Sequence, residues 1–302
     1  MNSTPNKNIF KDAATVILVR PSKSGDWEIF LAQRHQKQSF MAGAYVFPGG
    51  QLEESDNDPQ LGKYIKTTNV FDPCRLLQDS SLSREKARGF FIAAIRETFE
   101  ESGILLGGKT TGNFISFCDE KVLQRFNDCR RQLNTSQITL MEIAQKEEIL
   151  FFPDALVYYS YWITPEFEKK RFSTRFFLTK LPPCQIPVAD AVELTVSLWL
   201  TPQEALEMHC RKEIILMPPT LKTIEELSAF KNIDELFSSA ETKIIYPILP
   251  QLAGNILKLP HDPDYSIDAY KRPPNLRESS RILSENGVWK TAYYNENHQH
   301  ES

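Results

Sequence analysis

The chain has 302 residues, with 35 Lys and Arg against 39 Asp and Glu, so its formal net charge at pH 7 is −4. Hydrophobic residues make up 41% of it, and this composition excludes collagen-like, low-complexity and wholly disordered chains. The slightly acidic balance argues against a nucleic-acid-binding surface. A polar N-terminal segment and the lack of apolar runs near 18 residues argue against a signal peptide and a membrane span. With five scattered cysteines and no CxxC pair, we expect reduced thiols and a cytoplasmic protein.

The first half of the chain begins with a polar segment, 1–11, that we expect to be a flexible tail. Apolar, β-branched runs at 13–20 and 27–33 predict two strands joined as a hairpin. A loop, 36–50, then ends in Phe-Pro-Gly-Gly, and residues 51–82 are polar without a clear period. A single α+β domain with helical insertions fits this pattern best.

A helix is predicted from about Ser83 to Gly103, because apolar residues repeat on one face and glycine is a common helix stop. Further helices are predicted at 121–134, 139–148, 202–209, 220–229 and 233–240. Further strands are predicted at 155–164, 174–181 and 194–200. Aromatic residues in the first of these strands (Tyr158, Tyr159 and Trp162) are candidates for stacking on a base, although strand aromatics more often belong to the core.

Three carboxylates occupy one face of the predicted helix 83–103. Glu97, Glu100 and Glu101 stand at i, i+3 and i+4, a spacing at which like charges cost roughly 0.2–0.5 kcal/mol per pair. They also lie next to Gly103, at the helix end where the dipole disfavours anions. This pattern indicates a cation such as Mg²⁺, which prefers oxygen ligands, and the backbone of Gly50 can approach closely enough to add its carbonyl. The simpler alternatives are a solvated helix face and an ordinary turn.

Two segments together resemble the Nudix box, whose pattern is G-x5-E-x7-R-E-U-x-E-E-x-G-U, with U aliphatic. The first runs from Gly50 to Asp56, and the second is Arg96-Glu97-Thr98-Phe99-Glu100-Glu101-Ser102-Gly103-Ile104. Asp56 replaces the first Glu, Thr98 replaces the first aliphatic residue, and residues 57–95 stand where the pattern has seven. The resemblance implies the Nudix α/β/α sandwich with a mixed sheet, and a hydrolase that splits nucleoside-diphosphate-linked molecules.

The same resemblance implies roles for individual residues. Glu97, Glu100, Glu101 and the Gly50 carbonyl would hold Mg²⁺ or Mn²⁺. Glu97 would also act as the catalytic base, although which carboxylate does so differs within the family, and Arg96 would orient it. Two arginines, Arg34 and Arg175, are candidates to bind the substrate's phosphates, because a guanidinium contacts two oxygens at once. Glu193 is a further candidate ligand or base.

An interrupted box of this kind is similar to the acyl-coenzyme A diphosphatase branch of the Nudix family. The segments 162–165, 171–177 and 199–202 agree with that branch. The expected substrate is therefore coenzyme A or acyl-coenzyme A, cleaved to adenosine 3′,5′-bisphosphate and a phosphopantetheine.

The upstream coenzyme A signature is matched at Leu31, Arg34, Gly43 and 47–50, but Ser39 occupies the place of its second Arg. ADP-ribose, NADH or a nucleotide sugar thus stays open as the substrate, as does a module that only binds a nucleotide.

The expected organisation is a Nudix domain over 12–240, with insertions at 57–82 and 121–148. Residues 241–302 would form an extension packed on the same domain. A homodimer remains open, and neither nucleic acid nor a membrane is expected as a partner.

Overall fold

The computed structural model describes residues 10–23, 25–36, 41–68, 71–190 and 194–295. Its strands are β1 (Lys11–Pro21), β2 (Trp27–Arg34), β3 (Tyr45–Val46), β4 (Gly49–Gln51), β5 (Gly107–Gly108), β6 (Leu150–Phe151), β7 (Val157–Ile163), β8 (Phe172–Lys180), β9 (Leu194–Leu200), β10 (Pro247–Ile248), β11 (Gln251–Ala253), β12 (Ile256–Lys258), β13 (Arg281–Glu285) and β14 (Val288–Ala292). β1 begins inside the segment expected to be a tail, and residues 1–9 lie outside the described part.

The helices follow the predicted positions with small shifts at their ends. They are α1 (Pro73–Leu76), α2 (Arg84–Ser102), α3 (Glu120–Asn134), α4 (Leu140–Glu147), α5 (Pro202–Cys210), α6 (Pro218–Leu227) and α7 (Ile233–Thr242). The polar segment 51–82, for which no element was predicted, contains α1 and two short 3-10 helices, Glu54–Asn57 and Pro59–Tyr64. Asp58 with Pro59 and Asp72 with Pro73 explain the starts of the second 3-10 helix and of α1, because aspartate caps a helix and proline favours its first turn. The first 3-10 helix is instead capped by Glu53.

A mixed sheet forms the centre of the fold. Within the described chain its order is β10-β7-β8-β1-β2-β3, with β4 added to β1 and β9 added to β2. β1 runs parallel to β8 and antiparallel to β2 and β4, so it lies at the middle of the sheet. A second sheet, β11-β12-β13-β14, is built from the last part of the chain.

Successive side chains of β1 point to opposite faces of the sheet, and both faces are apolar. Val16 and Leu18 pack in a core with α2, α3 and α4, whereas Ile17 and Val19 pack with α5, α6 and α7. Ile282 of the second sheet belongs to the latter core. This arrangement confirms the predicted α+β class and the sandwich of helices on both faces of a mixed sheet.

Candidate active site

The last turns of α2 carry the acidic motif. The Ser83 side chain accepts a hydrogen bond from the Lys86 N–H at 3.2 Å and so caps the start of α2. Gly103 ends the helix with φ of +75°, a left-handed conformation that glycine adopts without strain. The helix therefore stops directly after Glu100 and Glu101, as the sequence predicted.

The glycine bend lies against these carboxylates. Gly50 pairs with Ala14 across β4 and β1, and α2 packs on both strands. A Cβ atom added at Gly50 would lie 2.4 Å from Oε1 of Glu97 and 2.5 Å from its Cδ. The Gly49 N–H also donates to Oε2 of Glu101 at 2.7 Å. A side chain at position 50 would therefore displace the Glu97 carboxylate, and glycine is the residue that leaves it in this position.

Arg96 ties the two halves of the interrupted motif together. It is 3% exposed, and its Nε and Nη2 donate to the two oxygens of Asp56 at 3.0 and 2.9 Å. Its Nη2 donates to the Gln51 carbonyl at 2.8 Å, and its Nη1 donates to Glu97 at 2.9 Å and Glu100 at 2.7 Å. Arg96 does pair with Glu100 one turn away, but it is buried rather than on the surface. Asp56 is thus positioned to fix the arginine that orients both glutamates.

Burial makes the charged forms of these glutamates unfavourable. It raises the pKa of Glu97 to about 8, where Arg96 opposes the rise and Glu100 adds to it. Burial likewise raises the pKa of Glu100, again against the effect of Arg96. Without a further cation nearby, burial thus opposes full ionisation of Glu97 and Glu100.

The chemistry of this group fits a hard divalent cation. Carboxylate and carbonyl oxygens are the ligands that Mg²⁺ and Mn²⁺ prefer, and the space at Gly50 leaves the Glu97 carboxylate against the backbone. Among the residues that the structure describes, no three acidic, histidine or cysteine side chains converge on one point. Here the oxygens of Glu97 and Glu100 accept bonds from Arg96, and Glu101 accepts one from Gly49. Holding a cation would require part of these bonds to be exchanged for bonds to the metal.

A cavity of about 540 Å³ opens beside the glycine bend. Glu97, Gly49 and Gly50 line it, and so does Arg34 at the end of β2. Two members of the predicted metal group, Glu97 and Gly50, therefore share this cavity with one predicted phosphate-binding arginine, whereas Glu100 and Glu101 are not among its lining residues. The cavity is large enough for a small-molecule substrate.

Arg175 is placed elsewhere. Thr174 and Phe176, its neighbours on β8, line the cavity, so alternation turns Arg175 to the opposite face of the sheet. There it is 2% exposed, donates to Asp79 at 2.7 Å, and lies 4.2 Å from the ring centre of Phe90. In this structure Arg175 connects the sheet to the 57–82 segment and is not brought together with Glu97.

Two residues singled out in the sequence, Ser39 and Glu193, lie outside the described residues. Conversely, Glu53 lines the cavity and its carboxylate lies 3.8 Å from Nη1 of Arg96, although it was not singled out in the sequence. The sequence feature that could have identified Glu53 as a site residue is its position three residues after Gly50. Leu257 and Trp289 also line the cavity, and no local pattern indicates this because they come from distant strands.

A model of the NUDT19 Nudix domain matches residues 10–227. The chain belongs to this Nudix family. Nudix hydrolases generally use divalent metals, which agrees with the oxygen-rich group at the end of α2.

Curated relatives extend the similarity over most of the chain. It is 28% identical over 289 residues to the acyl-coenzyme A diphosphatase NUDT19 of Xenopus laevis, covering 84% of this chain and 74% of that protein. It is 29% identical over 249 residues to the human protein of the same name, covering 72% of this chain and 64% of that one. A crystal structure of a NUDIX hydrolase from Alicyclobacillus acidocaldarius superposes with a TM-score of 0.61 at 21% identity, covering 78% of this chain and 99% of that one, which shows the shared fold. The described helices include none with the length and apolar character of a membrane span.

Proposed function

We propose that the chain is a divalent-cation-dependent diphosphatase that hydrolyses coenzyme A or acyl-coenzyme A. The products would be adenosine 3′,5′-bisphosphate and phosphopantetheine or its acylated form. The observation that carries the proposal is the contact of the Glu97 carboxylate with Gly50 in the wall of a cavity that Arg34 also lines. Membership of the NUDT19 Nudix family and relatives named as acyl-coenzyme A diphosphatases support the choice of substrate.

In the proposed reaction, four groups would hold Mg²⁺ or Mn²⁺: the carboxylates of Glu97, Glu100 and Glu101 and the carbonyl of Gly50. When bound, the metal neutralises the diphosphate's charge and lowers the pKa of water. Glu97 accepts the proton of the attacking water as a general base.

Three further groups complete the proposed site. Arg96 keeps Glu97 and Glu100 in place through its own bonds to Asp56. Arg34 binds phosphate oxygens of the substrate.

We also propose how the chain is divided into a catalytic domain, its insertions and an extension. Residues 12–240 form the catalytic domain, with 57–82 and 121–148 as insertions, and 241–302 pack against it as an extension. Gln78 of the first insertion accepts a hydrogen bond from the Ile245 N–H at 2.9 Å and donates to the Lys243 carbonyl at 2.8 Å, which supports this packing. The cytoplasmic location, the absence of nucleic-acid and membrane partners, and the possible homodimer stay predictions.

A substrate panel tests the proposal. Purified protein is incubated with Mg²⁺ or Mn²⁺ and with coenzyme A, octanoyl-coenzyme A, ADP-ribose, NADH or a nucleotide sugar, and the products are identified by mass spectrometry. Release of adenosine 3′,5′-bisphosphate from the coenzyme A compounds is expected. Turnover of ADP-ribose, NADH or a nucleotide sugar with coenzyme A untouched would transfer the same chemistry to another substrate. No turnover of any compound would favour a module that only binds nucleotides.

A further inference from the structure

Trp162 has a buried hydrogen-bond donor that the fold does not satisfy. Its side chain lies in the wall of the cavity and is 4% exposed, and its indole Nε1 makes no hydrogen bond to any residue that the structure describes. Trp27, which is similarly buried, donates its own Nε1 to the Phe230 carbonyl at 3.2 Å. Buried indole N–H groups are normally paired, because leaving one unpaired is unfavourable. The wall of the cavity thus contains an indole donor that no described residue satisfies.

The register of the sheet gives the distance from this donor to the acidic site. Trp162 on β7 lies opposite Thr174 on β8, Thr174 lies opposite Ala13 on β1, and Ala13 lies opposite Gln51 on β4. Gln51 follows Gly50, so three strand spacings separate Trp162 from the glycine bend. At 4.7–4.9 Å per spacing, this is about 14 Å. A substrate cleaved beside Glu97 reaches Trp162 only through a long arm.

The wall of the cavity includes apolar residues from the last part of the chain. Leu257 of β12 and Trp289 of β14 line it, together with Met217. The position of Trp289 is fixed by His209, whose Nε2 bonds to the Trp289 carbonyl at 2.8 Å, while its Nδ1 accepts the Leu216 N–H at 3.2 Å. Both Leu257 and Trp289 lie outside the region, 10–227, that matches the family. Part of the cavity wall is thus apolar and comes from the segment that follows the matched region.

We propose that Trp162 donates a hydrogen bond to a carbonyl in the non-nucleotide arm of the substrate, and that Leu257 and Trp289 bind the apolar group at its end. This inference rests on the proposed function, since a pantetheine arm offers amide carbonyls along an extended chain of the required length. Arg34 is the charged residue suited to the nucleotide side, so the two arms of the substrate leave the acidic site in different directions. Trp162 and Trp289 are then specificity-determining residues of the reaction.

The test uses variants of the full chain and measures binding of the nucleotide and non-nucleotide arms of the substrate separately. Trp162→Phe removes the indole N–H but keeps an aromatic ring, and Trp289→Ala removes the apolar surface but keeps the carbonyl that His209 binds. Trp199→Phe is the matched control, because Trp199 packs on Phe30 and Arg20 and is not among the cavity-lining residues. For each protein, KM and kcat are measured with coenzyme A and octanoyl-coenzyme A. Inhibition constants are measured for the two products, 4′-phosphopantetheine and adenosine 3′,5′-bisphosphate, and melting temperatures check the fold.

Trp162→Phe is expected to raise the inhibition constant of 4′-phosphopantetheine about five-fold and to leave that of adenosine 3′,5′-bisphosphate unchanged. Trp289→Ala is expected to raise KM for octanoyl-coenzyme A about ten-fold while changing that for coenzyme A less than two-fold. An unchanged phosphopantetheine constant in Trp162→Phe, or a larger effect on the nucleotide product, would overturn the assignment. Equal effects of Trp289→Ala on both substrates would overturn the apolar subsite. A wild-type protein that cleaves neither substrate would instead refute the proposed function, and the subsite with it.

Discussion

Replacing Gly50 by alanine perturbs the proposed site at one defined contact. The added Cβ would lie 2.4 Å from Oε1 of Glu97, whereas ordinary contacts begin near 3.4 Å, so the carboxylate must move by about 1 Å. Because a displacement of this size at a reacting group costs about 100-fold in rate, kcat of Gly50→Ala is expected to fall about 100-fold. The fold should tolerate the change, since the atoms that move are the end of a flexible side chain.

The assay for Gly50→Ala combines steady-state turnover of coenzyme A with a thermal melt. The melting temperature is expected to stay within about 4 °C of the wild type. Gly62→Ala serves as the control, because a Cβ there would meet only Nη1 of Arg88 at an ordinary 3.4 Å. A Gly50→Ala protein with wild-type kcat would refute the reasoning, as it would show that the position of Glu97 against the bend does not matter for the reaction.

Further predictions concern stability and substrate binding. Arg96→Ala should lower the free energy of unfolding in urea by about 3–5 kcal/mol, because it leaves Asp56 as a buried carboxylate without its partner. Arg34→Ala should raise KM about ten-fold, because it removes the proposed charge-assisted hydrogen bonds to the substrate's phosphates. Arg175→Ala should instead lower the unfolding free energy by about 1–3 kcal/mol with KM retained, since Arg175 pairs with Asp79 on the other face of the sheet. Burial would raise the pKa of Asp262, but bonds from Arg281 and Ser280 outweigh it and hold that pKa below its ordinary range. Its contribution to stability should therefore be complete above pH of about 4 and be lost as the pH falls through the lowered value.

The three predictions on stability have internal checks. Arg131→Ala removes an exposed ion pair with Asp128 and should change the unfolding free energy by less than about 0.5 kcal/mol, so a similar effect of Arg96→Ala would contradict the role of burial. An Arg175→Ala protein with a raised KM and unchanged stability would show that Arg175 binds the substrate and would contradict its structural role. For Asp262, the wild type and Asp262→Asn are compared by urea unfolding between pH 7 and 3.5, and a difference that does not shrink with falling pH would count against the pairing.

Local patterns were sufficient to predict α2 and the acidic group. The Ser83 cap, the apolar repeat and Gly103 all lie within the helix or beside it, so no distant contact was needed to place Glu97, Glu100 and Glu101. The contact between Asp56 and Arg96 is different, because residues 57–95 separate the two. No local pattern predicts this contact, and the resemblance to the Nudix box indicated only that the two segments belong to one motif.

The two candidate arginines, Arg34 and Arg175, show what sequence patterns could not predict. Strand alternation predicts that Arg175 and Thr174 face opposite sides of the sheet, but not which side holds the cavity, because that depends on where β4 and α2 pack. Trp289 and Leu257 reach the cavity through a sheet formed late in the chain, which is a non-local arrangement. The part of the site formed by distant strands was therefore beyond prediction.

Binding of Mn²⁺ to the wild type and to Glu97→Gln, followed by the loss of the free-ion signal in electron paramagnetic resonance, tests the central claim most directly. The wild-type protein is expected to bind Mn²⁺, with Mg²⁺ competing for the site. Glu97→Gln is expected to bind at least ten-fold more weakly and to lower kcat by several orders of magnitude while keeping its fold. A wild type that takes up no Mn²⁺ at the concentrations that support turnover, or a Glu97→Gln protein that binds it equally well, would contradict a metal site at the end of α2.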